Sequence, residues 1–209
     1  MKKLIYAPLF LMVIAGTFQS CSGEKKEETT KETTDSTVVK EEPKASFADM
    51  CKDENAMIVT IKDYKYQMKG KYAFETPNFE VKQSSWTITS DSTAELKMSN
   101  YAATDLVGDR KDEQVDILVS FRAKGGKKIE IGTYTNQSYD APYNCTTTMM
   151  TSKGLVYFNW LMGMPESGTV TLNYIDNESV CGSFTLAAEK PESEMIGTVR
   201  LNGTFKVGK

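Results

Sequence analysis

The stretch Val180-Cys181-Gly182-Ser183-Phe184-Thr185-Leu186 decides the fold. Val180, Gly182, Phe184 and Leu186 alternate with Cys181, Ser183 and Thr185. A period of two is what a strand shows when one face is buried and the other is wet. The alternation recurs upstream, where Val170, Leu172 and Tyr174 interleave with Thr169, Thr171 and Asn173. It recurs downstream in Val199, Leu201, Gly203 and Phe205. Three consecutive strands of this kind predict an antiparallel arrangement with one solvated face.

The rest of the chain agrees. Met57-Ile58-Val59-Thr60-Ile61 and Phe79-Glu80-Val81 are rich in β-formers. Trp86-Thr87-Ile88-Thr89 runs through a predicted turn at Asp91-Ser92 into Ala94–Met98. Ile117–Phe121 and Lys127–Ile131 flank Gly125-Gly126, whose tolerance of positive φ predicts a tight hairpin. Short helices fit at 101–114 and Phe47–Asp53, and no fixed-period repeat stands out. The expectation is an all-β domain over 47–209, an antiparallel β-sandwich or barrel-like fold long enough for one core.

The closing strands also carry a resemblance. Gly168–Leu172, Asp176-Asn177, Val180–Leu186 and Leu201-Asn202-Gly203-Thr204-Phe205 follow a strand, Asp turn, Gly-x-Phe, Gly-x-Phe order. With Ile131-Gly132-Thr133-Tyr134, this is similar to β-rich lipoproteins of the Bacteroidota type over about 115–209. That family has no established biochemical activity, so the resemblance implies only fold and location.

The N-terminus points the same way. Met1-Lys2-Lys3 precedes an apolar run from Leu4 to Gly16, the layout of a secretion signal. The run falls short of the ~20 residues that span a bilayer. Phe18-Gln19-Ser20-Cys21 resembles a lipobox, cut just before an acylated cysteine. Phe18 replaces the usual Leu and Gln19 the usual small residue, a looseness common in Bacteroidota lipoproteins. Ser22–Glu28 resembles the charged export signal of their surface-displayed members. The resemblance therefore implies lipidation at Cys21 and an outer-membrane address, displayed on the cell surface rather than facing the periplasm. Several acyl chains would anchor the chain firmly.

Residues 22–46 hold almost no large apolar side chains and cannot offset the entropy of ordering. They read as a disordered, lipid-anchored linker with a reach of roughly 25–30 Å. The organisation is thus signal peptide 1–20, linker 21–46 and β domain 47–209. Asp35-Ser36-Thr37 and Asp91-Ser92-Thr93 resemble the Bacteroidota O-glycosylation motif, with Ser36 the better candidate.

Cleavage before Cys21 removes two lysines and no acids, leaving 23 basic and 28 acidic residues and a net charge of −5. An acidic chain without Lys/Arg clusters argues against nucleic acid as a partner. The chain has no histidine, which removes Ser-His-Asp and Cys-His nucleophiles and the commonest zinc ligand. Its Ser-x-x-Lys, Ser22–Lys25, sits in the linker, and no Gly-x-Ser-x-Gly or Walker motif occurs. The acidic run Asp105–Asp116 departs from the EF-hand pattern and holds Arg110 and Lys111, so a solvated loop is expected in place of a calcium site. No catalytic residue, metal or cofactor is predicted.

Beyond Cys21, three cysteines remain, and an oxidising envelope favours a bridge. Cys145–Cys181 is the favoured pair, because Cys181 points off the buried face and both lie in the clearly β-patterned half. Cys51 is the alternative partner, and all-reduced thiols stay open. Tyr139 and Tyr143, in a polar loop, and Trp160 are candidates for stacking against a sugar, with burial in the core the competing role. Met149, Met150, Met162 and Met164 read as core filler rather than copper ligands. The leading expectation is a non-enzymatic envelope lipoprotein with a binding or structural role. Its partners would be the membrane, through the lipid, and a glycan or envelope protein. A carbohydrate-binding surface module is the second reading, and a His-independent carboxylate glycoside hydrolase the third.

Overall fold

The computed structural model describes residues 45–65, 68, 70–105, 108–136, 138, 140–158, 167–189 and 197–208. Cys21, Ser36, Tyr139 and Trp160 lie outside the described residues. The described residues fall within the compact unit Pro43–Lys209.

It is almost entirely β. A single helical turn, α1 (Phe47–Met50), precedes β1 (Ala56–Tyr64), β2 (Tyr72–Thr76), β3 (Gln83–Ser90), β4 (Thr93–Ser99) and β5 (Asp116–Ala123). Then come β6 (Gly132–Asn136), β7 (Tyr143–Thr151), β8 (Gly154–Tyr157), β9 (Gly168–Ile175), β10 (Val180–Glu189) and β11 (Thr198–Val207). All belong to one sheet in the order β2-β1-β11-β10-β9-β6-β7-β5-β4-β3, with β8 paired to β7. The barrel-like alternative is the one realised: the sheet curls into a half-barrel. Every pairing is antiparallel except β6–β7, which run parallel over Thr135↔Asn144 and Asn136↔Cys145.

The predicted alternation is what makes this possible. Val170, Leu172, Val180, Phe184, Leu186, Val199, Leu201 and Phe205 all fall on the concave face and are buried. They join Met57, Ile61, Leu96, Ile117 and Phe121 in one core. Trp86, Phe121, Tyr134 and Tyr143 form an edge-to-face chain across it, with centroid distances of 5.8, 5.1 and 5.5 Å.

The Gly-x-Phe pattern has a packing explanation. In the β10–β11 ladder Gly182 lies opposite Phe205, and Phe184 lies opposite Gly203. Each ring fills the space its partner glycine leaves, and the two rings meet at 4.7 Å. A Cβ at Gly203, whose φ is +126°, would stand 1.9 Å from the Ala56 carbonyl oxygen on β1. Aspartate makes the β9–β10 turn: Asp176 Oδ1 accepts from the N–H groups of Glu178 (2.8 Å) and Ser179 (2.6 Å).

Two local expectations change. Gly125 and Gly126 do take φ of +67° and +76°, yet Lys127–Ile131 is not a strand. Both edges of β5 are already taken, by β4 and β7. The segment after the glycines instead lies against the β3–β4 turn, where the Ile129 N–H donates to the Asp91 carbonyl at 2.8 Å. Among the described residues of 101–114 there is only a 3-10 turn, at Ala103–Asp105.

Truncating the interlock should be expensive. Phe184→Ala is expected to lower the unfolding free energy by ~3–5 kcal/mol in urea denaturation. Gly203→Ala should lower the midpoint as well, because the Ala56 carbonyl cannot retreat without breaking the β1–β11 ladder.

Candidate functional site

The most constructed region outside the core is the 100–115 connection between β4 and β5. Connections this long without regular structure are uncommon in compact domains and often carry function. Side chains hold it closed. The Asn100 carboxamide donates to the Glu113 carbonyl and accepts from the Val115 N–H, both at 2.8 Å. Gln114 accepts from the Lys111 N–H at 2.8 Å and donates to the Asp105 carbonyl at 3.3 Å. Asp105 Oδ2 caps the 3-10 turn by accepting from the Ala102 N–H at 3.1 Å.

Asp116, the first residue of β5, is the root of this loop. Its carboxylate is 1% exposed and faces Arg110 Nη2 at 2.6 Å. Oδ1 accepts from Ser99 Oγ and from the Tyr101 hydroxyl, the latter at 2.9 Å. Arg110 Nε also donates to the Tyr101 oxygen at 3.1 Å. Burial, then the hydrogen bond to Asp116, pushes the Tyr101 phenol above its ordinary range. A buried carboxylate is tolerated only when so paired. At the loop's far side, Asp112 accepts from Ser152 Oγ at 2.6 Å and pairs with Lys153 at 3.4 Å. The Ser152 hydrogen bond, followed by Lys153, holds that carboxyl below the usual carboxylate range. The Tyr72 hydroxyl ties β2 across by donating to the Asp112 carbonyl at 2.7 Å.

Between this loop and β2 lies an open cleft of about 500 Å³. β2 contributes Phe74 and Thr76, and the lead into β3 contributes Lys82. The loop supplies Asn100, Tyr101, Asp105, Lys111, Glu113 and Gln114. The cleft thus presents ammonium and carboxylate groups beside one half-buried phenylalanine, while its carboxamides and phenol are engaged within the loop. The sequence marks Asp105–Asp116 as a solvated loop in place of a calcium site and gives no sign of the cleft. Asp105, Asp112 and Asp116 each have a partner of their own, and among the described residues no three His, Cys, Asp or Glu side chains converge on one metal position.

The cysteine expectation is corrected. Cys51 bridges Cys181, and Cys145 is free and buried. Cys181 does point off the core, but the outer face there is covered by the N-terminal segment. Phe47 packs on Tyr174 at 5.4 Å, and Lys206 Nζ sits 5.5 Å from the Phe47 centroid. The Lys206 N–H donates to Asn55 Oδ1 at 2.8 Å, and Thr204 Oγ1 donates to the Glu54 carbonyl at 2.8 Å. Cys145 faces the core from β7, a strand that does not pair with β10. Burial pushes its thiol up to about 12.

Of the stacking candidates, Tyr143 is described. It is half-buried at the start of β7, edge-on to Tyr134, with Lys127 Nζ 5.0 Å from its ring centroid. Its hydroxyl donates to Glu130, a contact that raises the phenol to about 12. The ring already has partners, and a sugar stacking there would displace Lys127. Met149 is core and Met150 half-buried, while Met162 and Met164 lie outside the described residues. No family model, curated protein or solved structure matches the chain.

Two measurements check this geometry. Arg110→Ala leaves Asp116 buried without its counter-charge and is expected to cost about 3 kcal/mol in chemical denaturation. Peptide mapping without reductant should recover a Cys51–Cys181 crosslink, with Cys145 alkylated only after unfolding. Cys51→Ser/Cys181→Ser should lose up to ~5 kcal/mol, the loop-closure entropy of a bridge across 130 positions.

Proposed function

We propose that this chain is a lipid-anchored, non-catalytic protein of the bacterial envelope, attached to the outer membrane through Cys21 and displayed on the cell surface. The observation that carries the reading is the position of the Cys51–Cys181 bridge. It fastens the Phe47–Cys51 segment, which follows the charged linker in sequence, to the outside of β10. A bridge of this kind persists only where the surroundings are oxidising, as they are beyond the inner membrane. The lipobox-like Phe18–Cys21 and the linker composition supply the anchor and the reach. Among the described residues no helix is long and apolar enough to cross a membrane.

The non-catalytic part of the proposal rests on chemistry. Without histidine, a nucleophile needs another activating base. The free thiol, Cys145, is buried and held protonated, the opposite of an activated nucleophile. The buried carboxylate, Asp116, is consumed by Arg110, Tyr101 and Ser99. These are the features of a binding or structural domain.

Metabolic labelling with an alkyne palmitate analogue in a Bacteroidota host tests the anchor. The wild-type chain is expected to take up label, fractionate with the outer membrane and be cleaved by protease added to intact cells. Cys21→Ala should be unlabelled and released. An unlabelled wild-type chain overturns the proposal.

A further inference from the structure

We propose that the cleft between β2 and the 100–115 loop is a binding site for a small neutral saccharide. This goes beyond the envelope role and stands whether or not Cys21 is acylated. Saccharide hydroxyls donate and accept at once, so their sites combine both kinds of partner at close quarters. Here Lys82, which also pairs with Glu80, and Lys111 supply ammonium donors, and Asp105 and Glu113 supply carboxylate acceptors. Both signs of charge therefore line the rim. A ligand of net charge would gain from one pair and be repelled by the other.

Size and shape agree with that chemistry. About 500 Å³ falls within the range of ligand pockets and is ample for one or two sugar rings. Phe74, half-buried on β2, offers an apolar surface for the C–H face of a ring. The remaining lining is chiefly polar, which disfavours a lipid tail.

The walls are also tied by hydrogen bonds and an ion pair before any ligand arrives. Asn100 and Gln114 spend their carboxamides on the loop's own backbone, and Arg110–Asp116 with Tyr72–Asp112 fix its two sides. A preorganised loop does not lose its ordering entropy on binding. This also separates the cleft from Tyr143, whose ring is already engaged by Lys127 and Tyr134.

The test uses the purified full-length protein on an array of neutral and acidic glycans, with hits measured in solution by saturation-transfer NMR and titration. Binding to glycans with neutral terminal sugars is expected. Lys111→Ala/Glu113→Ala, which removes two exposed side chains and keeps the backbone bonds of the loop, should weaken it at least tenfold at unchanged melting temperature. Tyr143→Ala should leave affinity within twofold. Retention of no neutral glycan, retention of acidic glycans only, or binding that survives the double variant but is lost in Tyr143→Ala would each overturn the proposal. None of these results would alter the palmitate labelling, so the two proposals fail independently.

Discussion

The β10–β11 ladder carries the fold, because there the backbone must come close enough for a sheet to curl around a single core. Phe184 and Phe205 are the large groups at that position, and each stands opposite a glycine. A side chain at Gly203 would collide with the Ala56 carbonyl, and one at Gly182 with the Thr171 carbonyl, both at 1.9 Å. The two glycines therefore let β1 and β9 pack tightly on either side of the pair, while the rings restore the volume the glycines omit. Curvature of a large sheet needs such positions, since flat sheets do not close over a core. A shift of one residue in this ladder would turn Val180, Phe184 and Leu186 outward together, so the interlock also fixes register.

A curled sheet with two free edges has a seam, and the polar machinery of the molecule is concentrated beside it. β2 and β3 are the terminal strands of the order. The 100–115 loop lies at that seam and is tied to β2 through Tyr72. Its buried anchor, Asp116, is the kind of group that destabilises a domain when left alone. Two hydroxyl donors and a guanidinium turn that cost into a directional constraint on the loop. The constraint ties strand to loop, because Ser99 comes from β4 while Tyr101 and Arg110 come from the loop.

Those facts explain which parts were legible in the sequence. Strands β9, β10 and β11 were readable because one face is apolar and the other wet, and the Asp176 turn because its carboxylate accepts from two local backbone N–H groups. The Gly125-Gly126 hairpin misled because the turn is real while its second arm had no free edge to join. Strand occupancy is a property of the whole sheet, and no local pattern encodes it. The cysteine choice failed for a related reason. Alternation correctly sent Cys181 outward, but the partner waiting there came from Cys51, in a segment whose path depends on α1 packing over Tyr174. The cleft was invisible because it joins Phe74, Lys82 and Lys111, residues united only by curling.

The staple and the cleft sit at opposite ends of the strands, which follows from the pairing directions. Cys51 meets the start of β10, where β11 and β9 finish and β1 begins. The 100–115 loop leaves the end of β4 and enters the start of β5, which the antiparallel ladders place at the other end. Were the chain held through its linker, as proposed, tension would enter at residues 45–51 and pass through the disulfide into the middle of the sheet. β1 would then be shielded from peeling, since its first residue lies beyond the bridge. The loop that forms the cleft would feel such a load least, being separated from it by the full length of the core. With the fastening at one end of the strands and the proposed saccharide site at the other, anchoring and binding would not disturb each other.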